Sequence, residues 1–172
     1  ETQRLVLREF SEEHYPHLYN TDADPDVMRY IVPIRTPAQT RKRIEEIRAN
    51  NCSLPGLGLR MAFDKPTGSF SGMFALKYTD AREEIEIGYR LPVEKWGKGY
   101  ATEGASAMLR HGFCTVGLPR IVAFVFPDNR ASIHVLEKLG LLCEGYKQYN
   151  DKELLYYSMS AHRFSELYST QQ

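Results

Sequence analysis

Apolar and polar positions change rhythm several times along this chain, and each change predicts an element. Leu5 to Arg8 alternates as a short strand, and Ser11 offers an N-cap for a helix to about Asn20. Asp24 to Tyr30 reads as another helical turn. Thr36-Pro37-Ala38-Gln39 is a cleaner start, with Thr36 as N-cap, Pro37 at the first helical position and Gln39 closing a capping box. Its helix is predicted to run to about Asn50. Arg41, Lys42, Arg43, Glu45, Glu46 and Arg48 on this helix read as a solvated face and not a binding patch. After Leu54-Pro55-Gly56 the texture becomes that of strands, at about Gly58 to Phe63, Ser69 to Tyr78 and Glu83 to Leu91. The turns Lys65-Pro66-Thr67-Gly68 and Thr79-Asp80-Ala81-Arg82 make these strands an antiparallel meander. From Tyr100 onward Ala101, Ala105, Met108 and Gly112 recur at helical spacing. Ile121 to Phe126 is a continuous apolar run, as in a strand buried on both faces. A helix from about Asn129 to Leu139 stops at Gly140, and strands near Cys143 to Tyr149 and Leu154 to Ser160 flank a turn at Asn150-Asp151. With no repeat or linker in this order, residues 1–172 are expected to form one domain of mixed α+β class.

Composition narrows the partners. Lys plus Arg and Asp plus Glu both total 22, so no basic field argues for nucleic acid. No apolar run has the length of a membrane span and the start lacks a signal-peptide pattern, so no membrane is expected and a cytoplasmic location is. Cys52, Cys114 and Cys143 are odd in number and widely spaced, which suits unpaired thiols. His14 and His17 share a helical face but have no third ligand nearby, so no metal is expected.

The candidate chemistry lies between Glu86 and Gly112, where strand, glycine turn and helix follow one another. Gly97 and Gly99 carry no Cβ, so turn amides can converge on an oxyanion at the positive end of the helix dipole. A phosphate or pyrophosphate suits such a pocket, although a glycine turn before a helix is often plain connection. A Walker A loop is excluded because Gly97-Lys98 is followed by Gly99 and not by Ser or Thr. A dinucleotide fingerprint fails on Thr102, on the missing opening βαβ unit and on the missing downstream acid.

These residues resemble the GNAT superfamily of acyl-CoA-dependent N-acetyltransferases, within it the RimJ/RimL branch, over nearly the whole chain. Thr2-Gln3-Arg4-Leu5-Val6-Leu7-Arg8 resembles that branch's first strand and Asp24-Pro25-Asp26-Val27-Met28-Arg29-Tyr30 its early helix. Glu86-Ile87-Gly88-Tyr89 followed by Trp96-Gly97-Lys98-Gly99-Tyr100-Ala101-Thr102-Glu103 is similar to its cofactor motif. Asn129-Arg130-Ala131-Ser132 with Glu137-Lys138-Leu139-Gly140 is similar to the motif on its second CoA-side helix. Trp96 departs from the wider superfamily's usual Arg or Gln but is frequent in this branch. Gly104 replaces the usual alanine, which is expected to weaken the helix slightly without removing a contact, and Leu141 replaces a favoured phenylalanine.

The resemblance implies a mixed, mostly antiparallel twisted sheet, flanked by helices and splayed between the strand ending near Leu91 and the strand starting near Ile121. Acetyl-CoA would enter that V as cosubstrate, its pantetheine on the strand edge at Tyr89 and Leu91, its pyrophosphate on the amides from Gly97 through Ala101, with Trp96 and Thr102 flanking. Lys98 is either a phosphate counter-charge or a solvated loop lysine. The implied acceptor is a primary amine, a protein N-terminus or a small molecule, with a homodimer suggested by family analogy alone.

An α-amino group has a pKa of about 7.7 to 8.0 and needs little help to attack a thioester, whereas a lysine-type amine near about 10.4 costs roughly 3 to 4 kcal/mol more to deprotonate. Glu86, acting through water, is the candidate base, against the alternative of a solvated strand carboxylate, and Glu83 and Glu84 would colour the entrance negative. Ser132 is the candidate donor to the departing sulfur and Asn129 a candidate for the pantetheine chain, against helix capping and core packing. Tyr89 and Tyr100 read as packing aromatics. An acyl-CoA-binding or sensing module without turnover is the other class that these residues allow.

Overall fold

The computed structural model describes residues 1–31, 33–53, 55–79, 83–149 and 151–168, with the side chains of 50–53 outside that description. Residues 80–82 of one expected turn, Leu54 of another and Asn150 of a third fall outside it.

Seven strands form one sheet: β1 (Leu5–Glu9), β2 (Gly58–Asp64), β3 (Phe70–Tyr78), β4 (Ile85–Arg90), β5 (Arg120–Val125), β6 (Leu142–Tyr149) and β7 (Lys152–Ser160), in the order β1-β2-β3-β4-β5-β7-β6. Every neighbouring pair is antiparallel except β4 and β5, which run parallel and pair at Glu86↔Val122 alone. Beyond that point the two strands separate, opening the expected V between Leu91 and the residues after Ile121. The helices are α1 (Tyr15–Ala23), α2 (Pro25–Met28), α3 (Pro37–Ser53), α4 (Tyr100–Arg110), α5 (Arg130–Lys138) and α6 (Ala161–Tyr168). None is long and apolar enough to cross a membrane among the described residues.

Strand alternation sends neighbouring side chains to two different cores. On β3, Phe74 and Leu76 join Leu109, Ile121, Leu136 and Met159 in the cluster under α4 and α5. Met73 points the other way, to Leu18, Ile44, Ile47, Leu59 and Met61 beneath α1 and α3. Fully burying an aromatic such as Phe74 contributes roughly 1.5–3 kcal/mol, so both faces are stabilised by what the meander pattern places there.

The capping box of α3 forms as expected, the Thr36 amide donating to Gln39 Oε1 at 2.8 Å and the Gln39 amide to Thr36 Oγ1 at 3.3 Å. That helix continues past Asn50 to Ser53. Its charged face is not uniformly solvated. Arg43 turns inward to Asp22, an inversion a linear charge count cannot reveal because Asp22 lies far off in sequence. At Ser11 the chain enters a short 3-10 turn, where His14 Nδ1 accepts from the Ser11 amide at 3.0 Å, and α1 follows. His17 stacks on Phe70 at 4.6 Å, so these histidines are absorbed by capping and packing. Among the described residues no three His, Cys, Asp or Glu side chains gather as a metal site. Sequence periodicity missed α6, whose short stripe places Phe164 in the core.

Candidate active site

Between β4 and α4 the chain turns through Val93–Lys95 and the left-handed Gly97 (φ +68°) and Gly99 (φ +79°). A Cβ on Gly97 would meet nothing within 4 Å, so the space above this loop is open to a ligand. The first helical bond runs from the Glu103 amide to the Gly99 carbonyl at 3.0 Å, leaving the amides of Tyr100, Ala101 and Thr102 outside the ladder at the positive end of α4. Oxyanions are held by such groups.

What fixes this loop was not foreseen. Glu103 accepts from the Thr2 hydroxyl at 2.5 Å, the Arg4 amide at 2.7 Å and Arg4 Nε at 2.6 Å, while Arg4 also donates to the Lys98 carbonyl at 2.9 Å. Burial pushes the Glu103 carboxyl up, and the bonds from Thr2 and Arg4 outweigh it, holding its pKa below the ordinary value. Thr2, Arg4 and Glu103 therefore fasten the start of β1 to the first turn of α4. The signal was in the letters, as an acid in the first helical turn and an arginine ahead of the first strand, but only the fold joins them.

The other expected cofactor-side residues sort themselves by contact. Trp96 is half exposed and its indole N–H donates to the Leu91 carbonyl at 2.8 Å. Leu91 itself is buried, its side chain part of the larger core. Tyr100 is a packing residue, its hydroxyl donating to Asp64 Oδ1 at 2.9 Å and its ring lying under Arg4 at 4.4 Å. Lys98 is exposed at the loop's tip. Asn129 is the N-cap of α5, accepting from the Ser132 amide at 3.2 Å.

Across the V from that loop, α5 sets Ser132 against β4. The Tyr89 and Ser132 hydroxyls lie 3.0 Å apart, and the Tyr89 hydroxyl also reaches the Ser132 carbonyl at 3.3 Å. Burial pushes the Tyr89 phenol up to about 12, against a smaller opposing effect of the Ser132 hydrogen bond. Tyr89 is thus more than packing, because it orients the serine.

Glu86 occupies the last paired position before the strands part and points to the sheet face opposite Tyr89. It is not a solvated carboxylate: the residue is 9 % exposed and Lys77 Nζ lies 2.6 Å from its Oε1. Register explains the pairing, since Lys77 sits directly opposite Glu86 on β3. Of the two acids expected at the entrance, Glu83 is exposed and Glu84 is paired. Lys147 binds it at 2.9 Å and the Tyr156 hydroxyl donates to it. Burial works against the Glu84 anion, and these two partners together hold its pKa below the ordinary value.

The amide-lined turn at the start of α4, the parting of β4 from β5 and the Tyr89–Ser132 hydroxyl pair all gather around β4. The acetyltransferase (GNAT) domain family matches residues 4–142. The uncharacterized N-acetyltransferase p20 of Bacillus licheniformis is 35% identical over 148 residues, covering 84% of this chain and 82% of that protein. The structure of an acetyltransferase from Agrobacterium tumefaciens superposes with a TM-score of 0.82 at 28% identity, covering 92% of both chains. A ribosomal L7/L12 alpha-N-protein acetyltransferase, RimL, shares the fold at a TM-score of 0.78 and 18% identity, over 94% of this chain and 97% of that one. The chain therefore belongs to the GNAT acetyltransferase family and is an N-acetyltransferase, moving an acetyl group from acetyl-CoA to an amine.

Proposed function

We propose that residues 1–172 act as one catalytic domain in the cytoplasm, that acetyl-CoA lies in the V with its pyrophosphate on the amides from Gly97 to Thr102, and that a primary amine attacks it directly. The observation that carries this reading is the parting of β4 and β5 immediately beyond Glu86↔Val122, next to the free first-turn amides of α4. The unpaired thiols of Cys114 and Cys143 suit a reducing compartment.

In the step we envisage, the amine nitrogen forms a bond to the thioester carbonyl carbon and the carbon–sulfur bond breaks. The proton shed by nitrogen passes to water beside Glu86. A thiol of pKa about 8.5 is a far stronger acid than the Tyr89 phenol near 12, so protonation of the sulfur by the Tyr89 and Ser132 pair is uphill. Their role is to donate a hydrogen bond to the sulfur as charge develops there, after which the thiolate takes its proton from solvent.

Thiol release measured with acetyl-CoA and a panel of amines tests the reading. Tight CoA binding with no thiol above background for any amine would instead mean a binding module. Ser132→Ala is expected to lower kcat about tenfold while CoA affinity changes less than about twofold; unchanged kcat removes Ser132 from the reaction. Glu86→Gln is expected to slow amines of pKa near 10 by at least ~10-fold and α-amines near 8 much less, and equal losses would refute its role as base. Because Tyr89 keeps its proton until about pH 12, kcat should show no descending limb below pH ~10. A limb near pH 9 would point to another donor.

A further inference from the structure

A cavity of about 320 Å³ lies where α2, the segment after it, the end of β5 and the start of β7 meet, and its lining includes Met28, Arg29, Tyr30, Ile34, Phe126 and Lys152. Its floor is aromatic, with the Tyr30 and Phe126 rings 6.4 Å apart. Both charged side chains in the lining are cations held over those rings: Arg29 at 5.3 Å from the Tyr30 centroid and Lys152 Nζ at 5.1 Å from that of Phe126. Among the described residues no carboxylate lines it; Asp24, Asp26, Asp151 and Glu153 are neighbours in sequence but not part of the wall. Along the sheet the aromatic floor continues from Phe124 to Tyr149 at 4.2 Å and to Tyr156 at 5.3 Å, and so to Glu84 and the vertex. Lys147 and Lys77 already occupy the carboxylates Glu84 and Glu86 there.

Resting on the acetyl-transfer reading above, we propose that this cavity receives the body of the acceptor, and that the acceptor is an amine bearing an apolar or aromatic group and, beside it, a carboxylate or other anion that Arg29 and Lys152 attract. A polycationic amine meets the wrong charge on this wall. Its own ammonium groups would face Arg29, Lys152 and Lys147, with Glu84 and Glu86 already paired.

The full chain is assayed by thiol release with phenylalanine, phenylalaninamide, spermidine, and two peptides that differ only by glutamate or lysine at the second position. Arg29→Glu and Lys152→Glu are both exposed substitutions, and CoA affinity serves as the check that they fold. Each is expected to reduce kcat/KM about tenfold for phenylalanine or for the glutamate peptide, whichever is used, with less than about threefold change for its uncharged or lysine match, and 0.5 M salt should compress the difference. Comparing one acceptor across variants cancels differences in amine pKa. A wild-type preference for spermidine or the lysine peptide overturns the proposal, as do equal losses with charged and uncharged acceptors. Thiol release absent with every amine overturns it too, but by removing acetyl transfer itself, an outcome distinguishable from a wrong charge preference.

Discussion

Asp22→Asn is expected to lower the unfolding free energy by about 3–5 kcal/mol, far more than so conservative a change costs on a surface. Asp22 is completely buried at the end of α1. Its Oδ1 accepts from Arg90 at 2.7 Å, and its Oδ2 accepts from Arg35 at 3.2 Å and from Arg43. Three guanidiniums from β4, the segment before α3 and α3 itself thus converge on one carboxylate. Burial pulls the Arg90 pKa down and the like charges of Arg43 and Arg35 add to that, with Asp22 opposing them. Removing the buried Asp22 anion leaves the three cations repelling one another with the cost of desolvating them no longer offset by it. Urea unfolding should show the midpoint falling with the slope unchanged, and Tm should drop by about 10 °C for a chain of this size. Asp22→Asn combined with Arg90→Met is expected to lose less than the two single changes together, because the second removes a charge that the first strands. A loss under about 1 kcal/mol would mean that the arginines find water or other partners, and the cluster would then not be what ties α1 and α3 to β4.

The same residues explain how much the letters disclosed. Strand and helix order was legible because the core alternates with period two on β2 and β3 and recurs helically on α4 and α5, and local caps such as Thr36 with Gln39 need only four residues to read. The glycine turn leading into α4 was legible for the same reason: Gly97, Gly99 and the helix start are contiguous. Contacts that cross the sheet were hidden. Arg43 looked like one more surface charge until Asp22 stood beneath it. Glu86 looked free until its register partner proved to be Lys77, and Glu103 looked like a first-turn acid until Thr2 and Arg4 reached it. Tyr89 and Ser132 were each noticed alone, and only the packing of α5 on β4 makes them a pair.

Gly104 carries the second large effect, and here the helix-propensity expectation points the wrong way. Alanine is favoured over glycine in a helix interior by about 1 kcal/mol, so Gly104→Ala should stabilise α4 if propensity decided the matter. Packing decides otherwise. A Cβ at this position would lie 2.2 Å from Phe74 Cζ and 2.5 and 2.6 Å from its two Cε atoms, well inside contact distance. Phe74 is wholly buried in the larger core, and in a close-packed interior its ring can move only by displacing its neighbours. Overpacking of this kind costs about 1–3 kcal/mol, and overlap with three ring atoms puts this site at the upper end, so after the propensity gain a net loss of up to about 2 kcal/mol is expected in urea unfolding. The displaced ring also abuts Tyr89, at 6.3 Å between centroids, so kcat should fall together with stability as the Tyr89 hydroxyl shifts from Ser132. Gly104→Ala with Phe74→Leu trims the clashing ring and should recover most of the stability lost by Gly104→Ala alone relative to Phe74→Leu, a coupling that two independent sites would not produce. If Gly104→Ala instead raises the unfolding midpoint, α4 rides farther from β3 than 2.2 Å implies, and the close approach that brings its first turn level with the mouth of the V is lost with it.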